Sequence, residues 1–116
     1  MLRKGGFIAI QEEDDLIREL LERWLGEAGY AVRPSGNEAP LLVIADVPSP
    51  SGAQARIEAL QAVYAAPVLV LSARFRRGLG SSDEAARRLG VTKVLPKPFT
   101  REELLSAVKE ALDDAA

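Results

Sequence analysis

The chain has 116 residues, with fifteen Lys+Arg against seventeen Asp+Glu, a net charge of −2, no cysteine and no histidine. That length suits one domain over residues 1–116 with a real core, and the near-neutral charge gives no general attraction to nucleic acid or anionic membrane. Without Cys or His there is no disulfide, no thiolate or imidazole catalysis and no zinc site of the usual kind, so acids, hydroxyls and lysines must carry any chemistry.

The first apolar run, Phe7-Ile8-Ala9-Ile10, enters an acidic stretch, Glu12-Glu13-Asp14-Asp15. Helical spacing of Leu16, Ile17, Leu20, Leu21, Trp24, Leu25 and Ala28 follows, with Gly29 as a C-cap, and then a short extended segment, Tyr30-Ala31-Val32-Arg33. A third run, Leu41 to Ala45, ends at Asp46 and leads into a Pro-Ser loop; Ser51 and Gln54 suit a capping box for a helix carrying Ile57, Leu60 and Val63. A fourth run, Val68 to Leu71, ends at Ser72. Arg74 to Ser82 is polar and contains glycine, and Ser81 with Glu84 suits a second box on a short helix stopping at Gly90. The fifth run, Val94-Leu95, meets Pro96-Lys97-Pro98-Phe99, after which Thr100 and Glu103 make a third box. Leu104, Leu105, Val108, Ala111 and Leu112 then form one buried stripe on the final helix.

Alternating strand and helix patterns predict a parallel sheet wrapped by helices. One crossover is too short for that rule: only Pro34 to Pro40 separates the second strand from the third. A βαβ crossover with its helix takes at least about 10–12 residues. Seven extended residues reach roughly 23–25 Å, enough for the roughly 20 Å return path but not for a helix. The second helix is expected to be shortened or missing, with one turn at Gly36-Asn37-Glu38 as the alternative. Apolar sheet surface left bare there would need covering, and a homodimer through that face is one expected remedy.

The runs place acids, a hydroxyl and an ammonium at one sheet edge, outside the carboxyl ends of the strands, where open α/β sheets bind ligands. Each residue has a plainer reading beside the functional one. Asp46 could punctuate a loop, Glu12 to Asp15 could serve the helix dipole, and Ser72 could simply end a strand. Lys97, held between two prolines, is harder to read as a freely solvated charge. No Gly-rich phosphate loop follows the first strand, as dinucleotide binding would require.

Asp15-Leu16-Ile17-Arg18, Leu42-Val43-Ile44-Ala45-Asp46, Pro67 to Ala73, and Lys97-Pro98-Phe99 with Glu102-Glu103-Leu104-Leu105 together resemble the receiver domain of two-component response regulators. The resemblance covers nearly the whole chain. It implies a flavodoxin-like five-stranded parallel sheet, order 2-1-3-4-5, and a phosphoacceptor signalling switch rather than an ordinary enzyme. Asp46 would accept the phosphoryl group, with Glu12, Glu13 and Asp46 holding Mg²⁺, Lys97 pairing with a phosphoryl oxygen, and Ser72 donating to another. The bond before Pro98 would be cis. A sensor histidine kinase or phosphotransfer protein would supply the phosphoryl group in the cytoplasm, and a further protein, not nucleic acid or membrane, would read the result.

The chain departs from that pattern in several places. The ungapped match puts Glu12 and Glu13 at the two acid positions, where the second is usually an aspartate, and a shift by one would put Gln11 and Glu12 there. The loop after Asp46 is rebuilt around Pro48 and Pro50, and Val94 replaces an aromatic. The stretch from Ser72 to Lys97 is a few residues long for the family. These departures leave a second expectation open, a degenerate receiver that acts as a phosphorylation-independent interaction or dimerisation module.

Overall fold

The computed structural model describes residues 6–34, 36, 39–47, 53–72, 91 and 93–115. Seven elements follow in chain order: β1 (Phe7–Gln11), α1 (Asp15–Glu27), β2 (Pro40–Asp46), α2 (Ala53–Tyr64), β3 (Val68–Ser72), β4 (Lys93–Pro96) and α3 (Arg101–Ala115). The four strands are parallel and lie in the order β1-β2-β3-β4. This is the doubly wound α/β architecture that the alternating patterns predict.

Side-chain size sorts the two faces of the sheet. On one, Ile8, Leu42, Ile44, Leu69, Leu71 and Leu95 pack with Leu21 and Leu25 of α1 and with Leu104, Val108 and Leu112 of α3. On the other, the smaller Ala9, Val43, Ala45, Val68, Val70 and Val94 pack with Ile57 of α2. The period of two along each strand produces this division. Burying each Leu or Ile contributes about 1.5–3 kcal/mol, so the large-residue face dominates the core energetically.

Local signals set the helix ends. Asp14 caps α1, its carboxylate accepting from Leu16 N at 2.9 Å and Ile17 N at 3.1 Å. The helix closes in a Schellman arrangement: Tyr30 N donates to Leu25 O and Gly29 N to Gly26 O, both at 3.0 Å, with Gly29 at φ +96°. Thr100 and Glu103 form the expected box before α3, Glu103 N donating to Thr100 Oγ1 at 3.1 Å and Thr100 N to Glu103 Oε1 at 2.8 Å. Ser51, the expected cap of α2, Asn37 and Glu38 of the alternative single turn, and the stretch from Arg74 to Gly90 with its second capping box lie outside the described residues.

One expectation needs correction. Tyr30 to Arg33 is not a ladder strand: it lies beside β1 through a single backbone bond, Ile8 N to Ala31 O at 2.8 Å. It therefore occupies the second-strand position of the predicted order as an extended segment, and the described sheet has four strands rather than five. No described residue between Glu27 and Pro40 is helical, as the missing second helix requires. The helix expected to carry Ile57, Leu60 and Val63 is α2; it buries Ile57 fully and Leu60 partly and leaves Val63 75% exposed.

The small-residue face was expected to need a cover in place of the missing helix, and its described residues are covered. Ala9, Val43 and Ala45 are buried, and Tyr64 packs against their cluster. Gln11, on the same face of β1 as Phe7 and Ala9, donates to the Tyr64 hydroxyl at 2.6 Å. Small side chains leave little to cover, and one tyrosine at the end of α2 reaches across to the edge strand.

Candidate functional site

The register of the parallel sheet assembles the site. Gln11 pairs with Ala45, so the residues that follow, Glu12 and Asp46, leave the sheet side by side. Ser72 pairs with Pro96, which brings Lys97 to the same edge. Lys97 N then donates to Ser72 O at 3.0 Å, and the Lys97–Pro98 peptide is cis, as expected.

One ammonium joins the acids. Lys97 Nζ donates to Asp46 Oδ1 at 2.6 Å and to Glu12 Oε1 at 3.1 Å. The side chains are 19% exposed for Lys97, 21% for Asp46 and 4% for Glu12, so the cluster is shielded but reachable from solvent. Burial disfavours the charged lysine, yet hydrogen bonds and charge from Asp46 and Glu12 outweigh it and hold the Lys97 pKa above its ordinary 10.5. Glu12 is further fixed by Asp14 N, which donates to its Oε2 at 3.2 Å.

The predicted site residues do not all gather. Asp46, Lys97 and Glu12 meet directly. Ser72 is fully buried at the end of β3 and shares the edge through its backbone bond to Lys97. Glu13 is exposed on the bend after Glu12. Among the described residues no three acids are grouped to hold a metal ion. Glu12 and Asp46 nonetheless turn carboxylates toward one point, and Mg²⁺ is commonly held by one or two carboxylates with waters and phosphate oxygens. The donor chemistry of this pair fits that ion. The acidic run serves both of its readings: Asp14 caps the helix while Glu12 faces the site.

Two arginines at the site were not legible from the sequence. Arg18 Nη1 donates to Glu12 O at 3.3 Å while its Nη2 pairs with Asp15 Oδ1 at 2.7 Å. The Asp15–Arg18 spacing could have suggested that ion pair. Arg56 Nε donates to Asp46 O at 3.3 Å, and nothing local to residue 56 signals this. Beside Lys97, the residues Ile17, Leu20, Trp24, Pro98 and Phe99 line an apolar pocket of about 380 Å³. Trp24 and Phe99 meet there edge-on, with ring centroids 6.4 Å apart.

No family model matches the chain. It is 34% identical to the DNA-binding transcriptional regulator NtrC of Bradyrhizobium sp. (strain RP501 Parasponia), across 93% of this chain and 24% of that protein. It is also 34% identical to the transcriptional regulatory protein GltR of Pseudomonas aeruginosa, across 97% of this chain and 51% of that protein. The chain thus spans about a quarter to a half of these curated relatives. Among solved structures, the signal receiver domain of a signal transduction histidine kinase from Syntrophus aciditrophicus matches with TM-score 0.64 and 26% identity, across 94% of this chain and 91% of that one. A response regulator receiver protein from Burkholderia phymatum shares the fold with TM-score 0.69 and 22% identity, across 93% and 95%. No helix among the described residues is long and apolar enough to cross a membrane.

Proposed function

Because the chain is a response-regulator receiver domain, a signalling switch by class rather than an ordinary enzyme, we propose that it works as a phosphoacceptor switch centred on Asp46. The observation that carries this reading is the shared ammonium: Lys97 Nζ stands on both Asp46 Oδ1 and Glu12 Oε1 at the carboxyl edge of the sheet.

An Asp46 carboxylate oxygen attacks the phosphorus of a phosphohistidine or small acyl phosphate. A P–O bond forms to Asp46, the bond from phosphorus to the donor breaks, and the donor keeps that electron pair. The carboxylate becomes an acyl phosphate with one further negative charge. Lys97 is already held at Asp46 and can donate to a phosphoryl oxygen without prior reorganisation. The Ser72 hydroxyl lies at the same edge as a further donor. Glu12 and Asp46 would hold Mg²⁺, with Glu13 as the third, outlying acid of the set. When bound, the ion offsets the negative charge of the phosphoryl group and the two carboxylates. Partners of this function would be a sensor histidine kinase or phosphotransfer protein in the cytoplasm and a downstream protein that reads the charged state.

A second reading is favoured by the exposed position of Glu13 and the lack of a three-acid group among the described residues. In it the chain is a degenerate receiver that binds its partner without phosphate. Intact mass after incubation with acetyl phosphate and Mg²⁺ or Mn²⁺ separates the two. A single metal-dependent phosphoryl adduct, absent in Asp46→Ala, is expected for the switch; no adduct with either metal rejects it in favour of the binding module.

A further inference from the structure

We propose that Arg56 is a second cation of the site, donating to the phosphoryl group once it sits on Asp46. This inference rests on the phosphoacceptor reading. Arg56 lies in the first turns of α2 and its Nε donates to Asp46 O at 3.3 Å. That anchor is the carbonyl of the accepting residue itself, so the guanidinium stays within a short side chain's length of the new phosphoryl group. Arg18 holds the Glu12 carbonyl in the same manner but has its other arm on Asp15. Arg56 has no carboxylate partner among the described residues and is exposed, so its remaining N–H groups are available.

Charge gives those donors something to do. Lys97 carries one positive charge and already serves two carboxylates. Phosphorylation adds a negative charge at Asp46, and a planar guanidinium matches two phosphoryl oxygens at once. The contact favours the acyl phosphate over its hydrolysis products. In that hydrolysis a water oxygen forms a bond to phosphorus, the P–Oδ bond breaks, Asp46 returns as a carboxylate, and inorganic phosphate leaves with a proton released to solvent.

The test compares the full chain with Arg56→Gln and Arg56→Lys. Each is phosphorylated with acetyl phosphate and Mg²⁺, freed of donor, and followed by intact mass, with melting temperatures of the unphosphorylated proteins measured alongside. Arg56→Gln is expected to shorten the adduct half-life about three- to tenfold, the scale of one solvent-accessible charge-assisted contact. Arg56→Lys, which keeps the charge and loses the fork, should fall between. A wild-type half-life in Arg56→Gln, with or without a lower melting temperature, overturns the inference and leaves the phosphoacceptor reading standing. Absence of any adduct on the unaltered chain overturns both.

Discussion

Lys97 and Asp46 are 51 residues apart in sequence and 2.6 Å apart in space, and the same ammonium reaches Glu12 across 85 residues. The contact closes the carboxyl edge of the sheet by joining the ends of β1, β2 and β4. Replacing Lys97 leaves two shielded carboxylates facing each other without the ammonium that touches both. Lys97→Met is therefore expected to cost about 1–3 kcal/mol in urea unfolding. Adding Asp46→Asn to it should recover part of that loss, because one of the two repelling charges is gone. Additive losses in the double variant would show that the ammonium does not screen the acids.

The same lysine sets a pH dependence whose sign is definite. The folded state raises the Lys97 pKa above 10.5, so the folded protein holds this proton more tightly than the unfolded chain. Its stabilising contribution is complete below the ordinary value and is lost as pH rises through the higher folded value. The difference in unfolding free energy between the unaltered chain and Lys97→Met should stay level between about pH 7 and 9 and shrink only above the ordinary lysine range. A difference that already collapses near neutrality would contradict the ion cluster.

Glu12 and Glu13 are adjacent in sequence but differ in setting, and ion binding should tell them apart. Glu12 is buried on Lys97, whereas Glu13 is exposed. Trp24 lines the same pocket as Lys97, which makes its fluorescence a reporter for Mg²⁺ titration. Glu12→Gln should weaken Mg²⁺ binding by about tenfold or more, the effect of losing one direct carboxylate. Glu13→Gln should change it by less than about threefold, as for a screened, peripheral charge. Equal losses would place Glu13 among the direct ligands.

Tyr64 offers a test of how the shortened crossover is accommodated. Its hydroxyl accepts from Gln11 while its ring packs on the small-residue face. Tyr64→Phe removes only the hydrogen bond and is expected to cost about 0.5–1.5 kcal/mol. Tyr64→Ala also uncovers apolar sheet surface and should cost more and promote self-association in sedimentation, since exposed apolar patches invite contacts. A monomeric Tyr64→Ala as stable as the Phe variant would mean that other residues cover that face.

Much of the fold was legible because its signals are local. Short apolar runs marked the strands, a period of 3.6 marked α1 and α3, and Gly29 and the Thr100–Glu103 box stood where cap chemistry requires them. Asp46 and Lys97 were legible for a similar reason, each standing at the end of an apolar run with no structural need for a charge. The exposure of Val63 was not legible, because a helical period shows which side chains share a face but not how far that face extends onto its neighbour.

By itself, then, the sequence determined the strand faces, the helix ends and the set of polar residues delivered to one edge, since each depends on interactions within a turn or two of chain. Only the tertiary structure decided which of those residues touch. Register brought Glu12 beside Asp46 and left Glu13 outside, Tyr30–Arg33 met β1 through one hydrogen bond, and the placement of α2 brought Tyr64 to Gln11 and Arg56 to Asp46. These outcomes depend on how distant segments pack against one another, and no short window of sequence contains that information.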